Sequence, residues 1–368
     1  MTKIPVLSFF TGGGFLDMGF EMAGFDIVWS NEYDKIFAEL HSSGMTSWRK
    51  SKGNGIKAEI FNTKSIHEIS SEEIVKEAFH KIKPNVFGVI GGPPCQDFSL
   101  NGKQKGFIGE RGKLTVTFFN KIIDLQPTFF VMENVTGLIK VKSNREYLSS
   151  LLKTIESDYI IDYSTLNSLN FGVPQFRERV FFIGIRKNFI KESYKYQNSL
   201  NNWFPWPMNS KYFNAANKFK WPKIEEIGTT VIVPNGIPSE LFVASVLISS
   251  NEFSKYSNSD EYFRLVKPIS EISEIKEGET TRPSFKRLHR YRYSPTTCYG
   301  NNEVHLHPFE NRRISVREAL RIQGVPDTYS LPSELSLSKK FKMIGNGVPV
   351  PLAKAVAESV KKFLLTCK

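Results

Sequence analysis

The sequence places a thiol and a carboxyl group where two short apolar runs end. Cys95 follows the run at residues 86–90 and a Gly-Gly-Pro-Pro turn, and Glu133 follows the run at residues 128–132. Short apolar runs bounded by turn residues are typical of buried parallel strands, and the carboxyl ends of such strands face one cleft. A thiolate is a nucleophile and a carboxyl group can move a proton. The pair therefore predicts covalent catalysis, whereas each residue alone could be a packing cysteine or a solvated glutamate.

Three polar side chains alternate at the start of another apolar run. Gln175, Arg177 and Arg179 are spaced two residues apart, so they share one face of an extended segment. Arg179 enters the apolar run at residues 180–185, where an unpaired guanidinium would be costly. We interpret this face as part of a site, and pairing with surface acids is the alternative.

A glycine-rich turn near the amino terminus suggests a second binding element. Three consecutive glycines follow an apolar run at residues 6–10 and precede a helical pattern that ends near Gly24. The order strand, glycine turn, helix is typical of nucleotide-type binding turns. Glu32 lies about twenty residues beyond the glycines, after a second strand candidate, where a carboxylate can bind ribose hydroxyls. An ordinary connection is the alternative interpretation.

Charge and cysteine content narrow the class of protein. The 368 residues include 49 Lys and Arg against 37 Asp and Glu, a formal net charge of +12. This balance favours a polyanionic partner, nucleic acid first, over an unspecialised basic surface. The three cysteines form no CxxC pair, which argues against a disulfide framework and structural zinc, so we expect no metal. With neither a signal-peptide pattern nor a membrane-length apolar run, we expect a cytoplasmic protein without a membrane partner.

The remaining segments indicate how these groups are positioned. Ser70 with Glu73 predicts a helix start, and the basic residues 97–114 predict a lid or phosphate-contacting loop, with a solvated loop as the alternative. From about residue 187, aromatic residues predicted to be mostly core are interleaved with turn residues. A terminal helix with one apolar face at Leu352, Val356, Val360 and Phe363 predicts a return to the first domain. We predict one domain over residues 1–187 and 309–368 and a second over 188–308.

The motifs in their order resemble the cytosine carbon-5 DNA methyltransferase family of the bacterial modification type. The glycine turn is followed by PPCQDFS, MENV, QFRER, a long variable region, an SPT segment and GNGVPVPLAKAV. The resemblance implies an α/β, doubly wound, Rossmann-like S-adenosylmethionine-dependent methyltransferase domain with a smaller target-recognition domain over residues 188–308. It also implies a target cytosine flipped out of duplex DNA.

The resemblance assigns roles to the catalytic residues. Cys95 would add to carbon 6 of cytosine, because that addition makes carbon 5 nucleophilic. Glu133 would protonate or hold ring nitrogen 3, and Arg179 would hold the carbonyl oxygen. Arg177 would support this geometry and Gln175 its loop. The base that removes the proton from carbon 5 stays unidentified, and water could serve.

The resemblance also implies S-adenosylmethionine as methyl donor and S-adenosylhomocysteine as product. The residues expected at this site are Phe10, Thr11, Gly12, Gly14, Glu32, Ser65, Ile66, Pro93, Leu114, Asn346 and Val348. Two positions depart from the family pattern. The family usually has the pattern FxGxGG at this turn. In this sequence Gly13 fills the variable position between the glycines and Phe15 replaces the last glycine, which predicts a shifted backbone. Ser65 stands where an aspartate is usual, with Glu59 and Ile60 as a competing alignment.

Duplex DNA is the implied partner, contacted by Gln96, Ser99, Lys103, Lys105, Arg111 and Gln175. We expect a monomer, with a cognate restriction endonuclease possible in the same host. A methyltransferase for exocyclic amino groups is disfavoured because that reaction needs no cysteine and the chain has no DPPY-like strand end. A transfer RNA cytosine methyltransferase of the same family would have a shorter variable region, and a DNA-binding protein that has lost catalysis would form no covalent adduct.

Overall fold

The centre of the fold is a mixed β-sheet. The computed structural model describes residues 3–53, 60–80, 82–94, 110–190, 203–265, 268–297, 299 and 303–367. In these ranges seven strands form one sheet in the order β3-β2-β1-β4-β5-β7-β6. The strands are β1 Pro5–Phe9, β2 Asp26–Asn31, β3 Ile60–Asn62, β4 Gly88–Gly91, β5 Phe129–Asn134, β6 Tyr159–Asn167 and β7 Glu178–Arg186.

The direction of the strands indicates at which end of the sheet a ligand binds. Strands β1 to β5 pair in parallel, and β7 runs antiparallel between β5 and β6. The chain winds outward from β1 in one direction and from β4 in the other. Ligands bind outside the carboxyl ends of the strands at such a switch point.

Helices cover both faces of the sheet. They are α1 Phe15–Met22, α2 Lys35–Ser51, α3 Ser71–Phe79, α4 Glu110–Leu125, α5 Gly137–Lys140, α6 Lys142–Lys153, α7 Ala215–Lys218, α8 Ile269–Ser273, α9 Val316–Ile322, α10 Leu337–Asn346 and α11 Val350–Thr366. Val131 of β5 packs in one apolar layer with the terminal helix α11, whereas its neighbour Met132 packs in the opposite layer with α3, α4 and α6. This alternation is the two-residue period of a strand buried on both faces. Among the described helices, none has the length and apolar character to cross a membrane.

Several predicted elements are confirmed. The Ser70 side chain accepts a hydrogen bond from the Glu73 backbone N–H at 3.1 Å and begins α3. The apolar face of α11 is buried in the same apolar layer as Val6 of β1 and Ile27 of β2. The predicted loop over residues 97–114 is wrong at its end, because α4 begins at Glu110. Phe118 and Ile122 of α4 are fully buried one turn apart, and this apolar spacing carries the helix toward the sheet.

The region after β7 contains few regular elements. Its first described aromatic residues, Trp203 and Phe204, pack against Phe363 of α11 with ring centroids 5.3 and 5.7 Å apart. Farther on, Trp221 and Tyr293 meet edge to face at 4.8 Å in a small separate cluster. These contacts place the named aromatic side chains in apolar packing. The domain boundaries near residues 187 and 308 stay a prediction.

Candidate active site

A buried contact between a carboxyl and a guanidinium group lies where β5 and β7 meet. Glu133 is the next-to-last residue of β5 and pairs with Phe181 of the antiparallel strand β7. Arg179 lies two residues before Phe181, so its side chain reaches the same face of the sheet. Its Nε atom is 2.9 Å from Glu133 Oε1, and both side chains are only about a tenth exposed. The resemblance implies that both residues contact one cytosine, and the structure brings their side chains together.

Burial sets the protonation of this pair. Loss of hydration raises the pKa of Glu133 above its ordinary value, while the charges of Arg179 and Arg177 act in the opposite direction. The raised pKa shows that burial outweighs the two guanidinium groups. A carboxyl group in this state can retain a proton and deliver it to a bound substrate.

The turn that leads to Cys95 lies directly beside this carboxyl group. A Cβ atom added to Gly92 would lie 3.0 Å from Glu133 Oε2. Asn134, which is buried, donates through Nδ2 to the carbonyl oxygen of Pro93 at 3.2 Å. The end of β5 thus holds the turn in place. The sequence placed Asn134 at the strand end without indicating a role. The feature that could have identified it is an amide side chain directly after the predicted acid, and the structure shows that this amide is buried.

Some predicted residues fall outside this description. Cys95, Gln96, Ser99, Lys103 and Lys105 lie outside the described residues, as does the side chain of Arg111. Their roles stay predictions.

Gln175 and Arg177 are both fully buried. Gln175 Nε2 donates to Gln323 Oε1 at 3.1 Å, and Arg177 donates through Nη1 and Nη2 to the carbonyl oxygens of Thr297 and Gly345 at 3.1 and 2.7 Å. The prediction that Arg177 supports the geometry of the site agrees with this placement. For Gln175, the placement favours a bridging role in the interior over the predicted contact with DNA.

The glycine turn and the second strand end form a second polar site. Glu32 Oε2 accepts from the Gly12 N–H and Oε1 from the Asp34 N–H, both at 2.9 Å. Burial raises the pKa of Glu32 above its ordinary value. Gly12 has φ +53°, and a Cβ atom there would meet nothing within 4 Å, so the turn borders open space. Thr11 Oγ1 is buried without a hydrogen-bond partner among the described residues. These features suit a ligand that has hydroxyl and ammonium groups.

The altered glycine pattern has a steric complement at the other end of the chain. Phe15 is buried against Gly347, where an added Cβ would lie 2.2 Å from Phe15 Cδ2. The Tyr329 hydroxyl donates to the Gly13 carbonyl oxygen at 2.8 Å. Gly12 and Gly14 both keep positive φ values, and α1 begins at Phe15. The large residue at position 15 is therefore accommodated by the small residue at position 347.

The remaining residues predicted for the donor site surround this turn unevenly. Phe10 and Leu114 pack at the edge of the apolar layer that contains the buried Ile66. Ser65 follows the carboxyl end of β3, whereas Ile60 lies inside that strand, which favours Ser65 over the competing alignment. Asn346, at the end of α10, is exposed, and Val348 is buried. Sequence reasoning missed Asn31, which is buried and donates to the carbonyl oxygens of Asn62 and Lys64, both at 3.0 Å.

The doubly wound sheet and the glycine turn with its carboxylate define an α/β protein of the nucleotide-binding, Rossmann-like class. A family model described as C-5 cytosine-specific DNA methylase matches residues 4–362. The chain belongs to this family, and the predicted activity class, DNA cytosine methylation at carbon 5, is confirmed.

Known proteins similar to this chain agree with that assignment. Type II methyltransferase M.NmeDI of Neisseria meningitidis serogroup C is 38% identical over 370 residues, which cover 98% of this chain and 84% of that protein. Type II methyltransferase M.FnuDI of Fusobacterium nucleatum is 33% identical over 367 residues, with coverage of 98% and 95%. The solved structure of the S. pombe Dnmt2 methyltransferase has a TM-score of 0.60 and 15% identity over 99% of each chain, a similarity of fold alone.

Proposed function

We propose that this protein transfers a methyl group from S-adenosylmethionine to carbon 5 of a cytosine flipped out of a specific duplex DNA sequence. Cys95 is the nucleophile and Glu133 the acid. The observation that carries the proposal is the buried Glu133–Arg179 pair at 2.9 Å, next to the turn that leads to Cys95. S-adenosylhomocysteine is the second product.

The chemistry requires both a nucleophile and an acid. Carbon 5 of cytosine is a poor nucleophile, and addition of the Cys95 thiolate to carbon 6 turns the ring into an enamine that is nucleophilic at carbon 5. As the thiolate adds, electron density moves toward ring nitrogen 3, which takes a proton from Glu133, whose pKa is raised by burial. Arg179 stays paired with Glu133 and donates to the carbonyl oxygen of the ring. After methylation, a base removes the proton from carbon 5, elimination releases the Cys95 thiolate, and ring nitrogen 3 returns its proton to the Glu133 carboxylate.

The residues of the glycine turn fit the methyl donor. Glu32 has lone pairs beyond those used by the Gly12 and Asp34 N–H groups and would accept from ribose hydroxyls. The free hydroxyl of Thr11 and the open face of Gly12 would meet the polar part of the donor. Bound S-adenosylmethionine supplies a methyl group on a sulfonium centre. The walls of this site would come from Phe10, Gly14, Ser65, Ile66, Pro93, Leu114, Asn346 and Val348.

The cellular role follows from the relatives and the charge. Similar proteins are named Type II methyltransferases, and a net charge of +12 suits DNA binding. We therefore propose a modification role for the protein in a bacterial restriction–modification system. Residues 188–308 would read the target sequence. Gln96, Ser99, Lys103, Lys105 and Arg111 would contact the DNA around the flipped base.

Bisulfite sequencing tests the proposal and finds the target in one measurement. The protein is expressed in a host without cytosine-5 methylation, beside Cys95→Ser and the matched control Cys367→Ser, whose thiol lies at the end of α11. We expect full protection of one cytosine in a short recurring sequence for the wild type and for Cys367→Ser, and none for Cys95→Ser. An unmethylated genome in the host that expresses the wild-type protein would contradict the proposal, as would methylation that persists with Cys95→Ser.

A further inference from the structure

A buried polar cluster joins distant parts of the chain beside the catalytic pair. It consists of Gln175, Arg177, Thr297, Gln323 and Gly345, and we call it the Thr297 cluster. The four side chains in it have no exposed surface. Gln175 and Arg177 precede β7, Thr297 belongs to the segment after the small aromatic cluster, Gln323 follows α9, and Gly345 lies at the end of α10.

Hydrogen bonds fix the Thr297 side chain from two directions. Gln323 Nε2 donates to Thr297 Oγ1 at 3.1 Å and to the Ile344 carbonyl oxygen at 2.7 Å. Thr297 donates to Gln175 Oε1 through both its hydroxyl and its backbone N–H, each at 3.3 Å. The Thr297 hydroxyl thus accepts one bond and donates another. Buried hydrogen bonds of this kind favour one arrangement of the side chains that make them.

The same residue contacts the catalytic machinery through its backbone. The Thr297 carbonyl oxygen accepts from Arg177 Nη1 at 3.1 Å, and the Gly345 carbonyl oxygen accepts from Nη2 at 2.7 Å. Arg177 is fully buried, and its charge acts on Glu133. Because the interaction energy of two charges varies inversely with their separation, the position of these two carbonyl oxygens affects the influence of Arg177 on the acid.

We propose that Thr297 is a positioning residue for methyl transfer, acting through Arg177 on Glu133. The hydroxyl, held between Gln175 and Gln323, keeps the Thr297 carbonyl oxygen against the Arg177 guanidinium. This inference rests on the proposed function. It also connects the region that would read DNA to the segment that carries Arg177, since residues 294 and 297 both bond to the segment 174–177.

The test compares Thr297→Val, which removes the hydroxyl at nearly constant volume, with Thr297→Ser, which keeps it. Methyl transfer from tritiated S-adenosylmethionine to long unmethylated phage DNA is followed from pH 6 to 9. Arg177 and Arg179 are the charged groups that act on Glu133 among the described residues. When Arg177 is held less firmly, the pKa of Glu133 rises further, so the alkaline limb of the kcat profile moves to higher pH by about half a unit or more. We expect kcat to fall roughly tenfold, with a smaller change in KM for the methyl donor.

Thr128→Val is the matched control. Thr128 is also buried, and its hydroxyl accepts from the Phe87 N–H at 3.3 Å and donates to the Asn85 carbonyl oxygen at 3.4 Å, at the opposite edge of the sheet. This variant should lose stability without a change in the pH profile. Melting temperatures are measured for all variants. Gln323→Met removes the side-chain amide that donates to the Thr297 hydroxyl and so tests the same hydrogen bond from its other end.

The expected result is a shifted profile for Thr297→Val and Gln323→Met and a wild-type profile for Thr297→Ser and Thr128→Val. A wild-type profile in Thr297→Val, or an equal shift in Thr128→Val, overturns the inference while the proposed function stands. Absence of transfer by the wild-type enzyme overturns the proposed function, and the inference with it.

Discussion

Replacing Gly347 by alanine should disturb the glycine turn at the other end of the chain. The new Cβ would lie 2.2 Å from Cδ2 and 2.8 Å from Cε2 of Phe15. Carbon atoms in contact prefer about 3.5–4.0 Å, so the ring must move by roughly 1 Å or more. Phe15 is buried and packs edge to face on Tyr329, with ring centroids 5.7 Å apart. Its displacement is therefore passed to Gly14, which directly precedes it.

The expected magnitude follows from this overlap. Overpacking of a dense core costs about 1–3 kcal/mol. With an unfolding entropy of about 2.1 cal/mol/K per residue, a chain of 368 residues would lose about 1–4 °C in melting temperature. Each kcal/mol that reaches the glycine turn weakens binding of S-adenosylmethionine about fivefold.

The assay is a double-mutant cycle with thermal unfolding and titration calorimetry. Phe15→Leu shortens the ring side chain and makes room for the added methyl group. We expect Gly347→Ala to be clearly destabilising in the wild-type background and nearly neutral beside Phe15→Leu. Equal costs in both backgrounds would refute the steric reasoning. Wild-type donor affinity in Gly347→Ala would refute the connection to the glycine turn.

Three further predictions follow from the buried polar groups. Glu133→Gln should slow methyl transfer about 10²- to 10⁴-fold. Because the pKa of this carboxyl group is raised in the folded state, its contribution to stability is lost as pH rises. The melting temperature of the variant should therefore fall less than that of the wild type between pH 5 and 8, and an equal fall would contradict the reasoning. Burial lowers the pKa of His289 to about 4 and of His305 to about 3, so stability present above about pH 6.5 is lost as pH falls toward these values; a melting curve for His305→Gln that matches the wild type from pH 7 to 4 would contradict this. Asn134→Asp removes the donor to the Pro93 carbonyl oxygen and should cost about 1–3 kcal/mol in unfolding measurements and lower kcat, whereas wild-type kcat would show that this bond does not position the turn.

The parts of the fold that depend on local pattern could be predicted from the sequence. Apolar runs bounded by turn residues gave β1, β4 and β5, because buried parallel strands need such runs. The cap at Ser70 is a local interaction between residues three apart, and the stripe on α11 is a local periodicity. These features are encoded in a few consecutive residues.

Helix α2 shows where local pattern is insufficient. Phe37, Leu40 and Trp48 are buried on one side of this helix. Residues 42–47, SSGMTS, have weak helix propensity and interrupt the helical pattern in the sequence. The available signal was Asp34, whose side chain accepts from the N–H groups of residues 36 and 37.

The candidate site was predictable in composition but not in contacts. Strand ends indicated that Cys95 and Glu133 face one cleft, and the family resemblance placed Glu133 and Arg179 on the same cytosine. Their 2.9 Å contact depends on the antiparallel register of β7 against β5, which no short segment encodes. The burial of Gln175 depends on Thr297 and Gln323, which lie more than a hundred residues away. An exposed role for Gln175 was therefore a reasonable but unsupported expectation.

The proposed reaction requires Cys95 and Glu133 to act on the same cytosine. Covalent trapping tests this requirement directly. The enzyme is incubated with S-adenosylmethionine and a long duplex synthesised with 5-fluorodeoxycytidine in place of deoxycytidine, and the adduct is digested and mapped by mass spectrometry. Fluorine at carbon 5 blocks the final proton removal, so the thioether to carbon 6 persists. We expect an adduct on Cys95 that requires the methyl donor and forms far more slowly in Glu133→Gln. An adduct on another residue, or tight DNA binding without any adduct, would contradict it.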